Sequence, residues 1–210
     1  APQPPPRPPR WGYPNQCGTT GKPPGGVSPI VSTIRPLAFG LLVTLLVLGL
    51  AAPVLAHVPA FGADNDDPGN ATVVPNPTKS WAFYDRVADD GAVYYEATFL
   101  DGERLSLTGY TPRWGMQPGI VVMTPGGTVA EDVPDAVEVP EGFGATVVEP
   151  EPADGAEFEP FTPGAYFYTV AVDRQVEGGQ YLVAVYDTGG QAGPVGLAIG
   201  RSEQFTLVEY

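Results

Sequence analysis

"AVYYEATFLDGERLSLTGY" spans residues 92–110, and its pattern decides the fold class. Its two arms are crowded with Val, Tyr, Phe, Thr and Leu, side chains that fit a pleated, half-buried surface. Between the arms stands Asp101-Gly102, a pair that accepts positive φ and predicts a tight two-residue hairpin. Further on, "GQYLVAVYD" (179–187) alternates Tyr181, Val183 and Val185 on one face with Leu182, Ala184 and Tyr186 on the other. Strands are also predicted near 71–74, 119–123, 145–149, 165–173, 194–200 and 204–209. Residues 80–88, "SWAFYDRVA", read as a strand, although Ser80 also fits the cap of one helical turn. No stretch after residue 56 sustains a 3.6-residue apolar period over ten residues free of Pro and Gly. The expectation is an all-β domain: an antiparallel β-sandwich or jelly roll of eight or nine strands.

Working outward, the chain divides into three segments. Residues 1–34 form a Pro/Gly-rich tail, with ten Pro and five Gly in the first 29 positions, and such a composition buries no core. Translation from an upstream start is a second account of the first 26 residues. Residues 35–56, "RPLAFGLLVTLLVLGLAAPVLA", make a hydrophobic export helix. A basic flank at Arg35, an apolar centre, Pro53, and then Val54 and Ala56 in the cleavage frame match a signal peptide. The other reading is an uncleaved anchor, because Leu37 to Ala56 is twenty uncharged residues, enough for a bilayer core of about 30 Å. Either way residues 57–210 become an extracellular domain, secreted or held at the outer membrane face through residues 37–56.

Charge sharpens this division. The chain carries 24 Asp and Glu against 10 Lys and Arg. Arg7, Arg10, Lys22 and Arg35 lie before residue 57 and every acid after it, so the later segment sets 24 acids against six bases, a net of −18. Such a surface repels nucleic acid and anionic headgroups, and suits cations, basic partners or a very salty medium. Two lysines amid abundant Ala, Gly, Pro and Asp predict a halophilic source. Cys17 is the only cysteine and His57 the only histidine. Thiol catalysis, cysteine-ligated zinc and any multi-histidine site within the later domain are thereby excluded.

The strand residues resemble the pre-peptidase C-terminal (PPC) type of β-sandwich. "YYEATFLDGERLSLT" is followed by "PGIVVMTPG", then by Gly179, Tyr181, Val183 and Val185 in a Gly-x-Tyr-x-Val-x-Val pattern, then by "GLAIG". This resemblance implies fold more than function. The chain is also similar to uncharacterised secreted or membrane-anchored proteins of archaea and bacteria. The shared elements are His57-Val58-Pro59, Lys79-Ser80-Trp81-Ala82, Glu159-Pro160-Phe161-Thr162 and Glu203-x-Phe205-Thr206. That likeness implies a surface domain, often followed in such proteins by a hydrophobic anchor.

Few residues carry chemistry. Cleavage after Ala56 would give His57 an α-amine beside its imidazole, nitrogen donors that copper(II) favours. The histidine brace of copper-dependent polysaccharide monooxygenases starts this way but needs a second histidine, so here a carboxylate, a tyrosine or another chain must complete the site. The plain alternative is a histidine that happens to follow the cut. "GADNDDPGN" (62–70) clusters Asp64, Asp66 and Asp67 with Asn65 and Asn70, oxygen ligands suited to calcium. Pro68 stands at an EF-hand ligand position and no Glu occupies the twelfth, so a solvated acidic turn is the reading these departures favour. Asn70-Ala71-Thr72 is a glycosylation sequon at Asn70. In "YTPRWGMQPG" (110–119), Tyr110, Arg113 and Trp114 offer a loop surface for a sugar or protein partner. Alternatively, Trp114 and Trp81 fold inward over the sandwich. A serine triad would have to use His57, no carboxylate pair stands out, and the glycines mark turns. The function expected is an exported, non-catalytic binding or adhesion module for a cell-surface polymer or another exported protein. The alternative is a copper-binding or copper-dependent redox protein built on His57.

Overall fold

The computed structural model describes residues 57–159 and 162–203. The tail, the export segment and the strand expected at 204–209 lie outside the described residues. Eleven strands follow in order: β1 (Val58–Phe61), β2 (Thr72–Val73), β3 (Trp81–Val87), β4 (Ala92–Phe99), β5 (Arg104–Thr111), β6 (Pro118–Pro125), β7 (Phe143–Val148), β8 (Glu157–Glu159), β9 (Gly164–Gln175), β10 (Gly179–Asp187) and β11 (Gly193–Ile199). Among the described residues no helix is long and apolar enough to cross a membrane.

One sheet runs β1-β3-β11-β5-β9-β8 and the other β2-β4-β10-β6-β7. The eight longest strands pair antiparallel throughout, as β3-β11-β5-β9 and β4-β10-β6-β7. Two four-stranded sheets in this order form a jelly roll, in agreement with the strand pattern of the sequence. β1 and β2 extend the edges as parallel partners of β3 and β4, pairings that alternation alone does not reveal. Residues 80–88 form β3 rather than a helical turn.

The Asp101-Gly102 turn is a partial correction. Gly102 does take a φ of 79°, and Glu103 N donates to Leu100 O at 3.1 Å. Yet β4 and β5 belong to different sheets, so the turn carries the chain across the sandwich and closes no hairpin. The φ preference of Asp-Gly specifies the turn but not the partner. Burial decides the partner: Tyr95 and Phe99 of β4 meet Leu105 and Leu107 of β5 in the core between the sheets.

β10 is apolar on both faces because both are covered. Tyr181, Val183 and Val185 enter the central core, while Leu182, Ala184 and Tyr186 join Tyr94, Val121 and Met123 in a second layer. The connection between β6 and β7 closes that layer with Val137, and the Tyr94 hydroxyl holds it by accepting from Glu138 N at 2.7 Å.

A bulge shapes the opposite sheet. Gly109 pairs with Val170, but Tyr110 pairs with Tyr168, so β9 carries one surplus residue, Thr169. Its hydroxyl donates to Pro118 O at 2.8 Å and is buried. A one-residue slip reverses which side chains face out. Val170 and Val172 therefore point to the core, whereas Tyr166 and Tyr168 stand on the outer face.

Candidate functional site

The outer face of the six-stranded sheet gathers Tyr84 from β3, Tyr110 from β5, and Tyr166 and Tyr168 from β9. Ring centroids lie 5.8 Å apart for Tyr84–Tyr110, 5.3 Å for Tyr110–Tyr166 and 5.6 Å for Tyr110–Tyr168, with interplanar angles of 71°, 82° and 50°. Tyr110 sinks between the others because β11 offers Gly196 beneath it; a Cβ at Gly196 would collide with its ring. Phe61, exposed on β1, extends the aromatic row from Tyr84 at 6.0 Å.

These rings line a cavity of about 100 Å³, together with His57, Glu159 and Thr162. His57 is brought there by the edge pairing that follows it, with Val58 N donating to Ser80 O at 2.9 Å. Glu159 stands at the end of β8, which pairs along β9. The hydroxyl tips are largely engaged. Tyr110 donates to Phe83 O at 3.1 Å, Tyr84 is hydrogen-bonded to the Thr162 hydroxyl, and Tyr166 donates to Thr162 O at 3.4 Å.

Burial raises the pKa of the Tyr84 and Tyr110 hydroxyls above the usual tyrosine value. The Tyr168 hydroxyl is pushed up to about 12 by burial and by the carboxylates of Glu159 and Glu157. All three are neutral phenols at physiological pH. Burial lowers the pKa of the His57 imidazole, outweighing the opposite pull of Glu159 and Glu203. The hollow therefore presents neutral rings, a neutral imidazole and one carboxylate.

The residues singled out in sequence are dispersed. His57 lies at this hollow. Tyr110 is no loop residue: it belongs to β5 and is 4% exposed inside the hollow. Arg113 donates to Ala192 O at 2.8 Å, and Met116 is buried in the central core. Trp114 does not fold inward; it is 75% exposed and packs its ring edge-on to Phe167 at 5.2 Å. Trp81 does turn toward the core, with Nε1 donating to Pro75 O at 2.9 Å. Tyr110, Arg113 and Trp114 thus form no common surface, because the end of β5 aims Tyr110 away from the loop.

Asp64, Asp66 and Asp67 are exposed. The Asp67 carboxylate caps the short 3-10 turn Pro68–Asn70 by accepting from Gly69 N at 2.7 Å, and Asn65 is buried with Nδ2 donating to Tyr94 O at 3.1 Å. Among the described residues, no three His, Cys, Asp or Glu side chains converge in a group that could hold a metal ion. Asn70 is exposed within that turn. Sequence reasoning missed Tyr84, Tyr166, Tyr168 and Glu159. Tyr166-x-Tyr168 was a usable signal, since residues two apart on a strand share a face.

No family model matches the chain, and no curated protein sequence matches it either. Among solved structures, the chain is similar to the copper-binding secreted protein MopE of Methylococcus capsulatus. The TM-score is 0.27 and the identity 8%, over 71% of this chain and 100% of that one. At that similarity nothing of MopE's copper binding carries over.

Proposed function

We propose that the chain is an exported binding module whose ligand enters the tyrosine-lined hollow, and that it works without catalysis. The hollow carries this reading. It is built on paired strands, so its walls are held in place before a ligand arrives, and it joins apolar rings to a few polar groups, the usual make-up of a recognition site. The Tyr84, Tyr110 and Tyr168 hydroxyls have raised pKa values, and those of Tyr84 and Tyr110 are also hydrogen-bonded, which makes them poor bases and nucleophiles at neutral pH. The basic-flanked apolar segment at 35–56 and the acidic domain after it support a location outside the membrane. The partner is then a cell-surface polymer or another exported protein that displays the ligand group. The PPC-type resemblance belongs to the same proposal.

The test is a panel of sugars, peptides and small cations, followed by tyrosine chemical shifts of the protein. A ligand that moves the resonances of Tyr84, Tyr110, Tyr166 and Tyr168 supports the reading, provided Tyr166→Ala abolishes the effect. Turnover of a substrate by the purified protein would sink it.

A copper reading of His57 keeps one observation in its favour: the imidazole and the Glu159 carboxylate line one cavity. Processing after Ala56 would add the amine as a third donor. Mass spectrometry of the mature N-terminus decides the matter first, because a chain that retains residues upstream of His57 ends this reading. With His57 free, copper titration of the protein and of His57→Ala completes the test.

A further inference from the structure

We propose that the tyrosine hollow is a cage for a quaternary ammonium head group, the trimethylated cation carried by choline-type molecules. This rests on the binding reading above and names the ligand class for the same hollow.

The arrangement of the rings argues first. Sugars and bases stack best on a flat aromatic platform, but here the rings tilt at 50° to 82° in the four contacting pairs, with Tyr110 packed among Tyr84, Tyr166 and Tyr168 at the base of the cavity they line. A cation held among several ring faces gains from each ring's negative quadrupole, and methylated ammonium groups are the ligands for which such cages are known. Size argues next. The cavity of about 100 Å³ lies well below the roughly 300 Å³ at which pockets for drug-sized ligands begin. It takes a compact head group and leaves the rest of the molecule outside.

Hydrogen bonding separates the candidate ligands further. A sugar brings several hydroxyls, each needing a partner once buried. The Tyr84, Tyr110 and Tyr166 hydroxyls already serve Thr162 and Phe83 O, so they have little to offer. A trimethylammonium group has no N–H or O–H to satisfy. It asks only for aromatic carbon and an opposite charge, and Glu159 supplies the charge from the cavity wall. The later segment's excess of acids attracts cations over a longer range. Burial lowers the pKa of the His57 imidazole, so the imidazole brings no positive charge to the rim at neutral pH.

The experiment is calorimetric titration of the protein with choline, and with 3,3-dimethylbutan-1-ol, its uncharged isostere. A second arm measures cosedimentation with phosphatidylcholine vesicles, which separates a free ligand from one displayed on a lipid headgroup. Choline binding, or vesicle binding that free choline reverses, supports the cage. Tyr166→Ala should weaken that binding about tenfold, with Tyr166→Phe keeping most of it. The isostere should bind at least about tenfold more weakly than choline. Equal affinity for the isostere overturns the proposal, leaving an apolar pocket. Failure of both cationic probes, while another ligand still shifts the hollow's tyrosines, overturns the cage and spares the binding module. Silence of those tyrosines toward every probe removes both. Circular dichroism of each variant separates lost binding from lost fold.

Discussion

The ring of Tyr110 fills the space in which a side chain at Gly196 would stand, so one strand's tyrosine is seated on its neighbour's glycine. Gly196→Ala should therefore push Tyr110 upward into Tyr84, Tyr166 and Tyr168. Overpacking of this kind costs about 1–3 kcal/mol. The measurement is the urea midpoint together with tyrosine chemical shifts. An unchanged midpoint with unmoved shifts would show that the seat has slack.

Asp187, buried at the end of β10, accepts from three backbone amides: Gln117 N at 2.7 Å, and Gly189 N and Gln191 N at 3.1 Å each. Asp187→Ala leaves these donors without their acceptor and should cost about 2–4 kcal/mol. Asp187→Asn keeps one acceptor oxygen and should recover part of the loss. Equal stability for the two variants in denaturant titrations would contradict this role.

Alkaline pH should unfold the domain through its tyrosines. Burial first, and carboxylates second, push both Tyr168 and Tyr186 up to about 12 from an ordinary 10. A raised folded pKa means that the unfolded chain gives up its protons first as pH climbs. Stability is then whole below about pH 10 and is lost progressively toward about pH 12. Denaturant midpoints across that interval test the sign, and Tyr168→Phe should flatten the slope.

Trp114→Ala should leave the hollow untouched. The indole is exposed and touches Phe167, so its loss should cost about 1 kcal/mol or less. Ligand affinity at the hollow should be unchanged in a side-by-side titration. A large loss there would mean that the loop and the hollow act together after all.

The parts of this fold that sequence makes legible are those governed by local rules. Tyr181 to Tyr186 alternate, and both of their faces are buried as the pattern requires. Gly102 turns with positive φ where Asp-Gly predicts it. What stayed hidden depends on pairing between distant strands. Tyr84 and Tyr166 come together only because β11 and β5 lie between their strands, and no spacing along the chain encodes that order. The parallel edge strands are too short to announce a partner. Tyr110 was legible as an aromatic worth notice, and its outward aim follows from alternation with Leu105 and Leu107 along β5, whereas the aim of Tyr166 and Tyr168 is decided by the bulge.

That surplus residue, Thr169, ties the outward aim of two tyrosines to a single interruption of the ladder. Were Thr169 drawn into regular pairing opposite Tyr110, strict alternation from the inward Val170 would turn Tyr168 and Tyr166 toward the core, with every tyrosine still in the sequence. Exchange of Thr169 for another small residue would keep the parity and with it the site. A chain lacking Thr169 would close the ladder with Tyr168 still opposite Tyr110, so deletion at this one position should straighten β9 and spare the hollow.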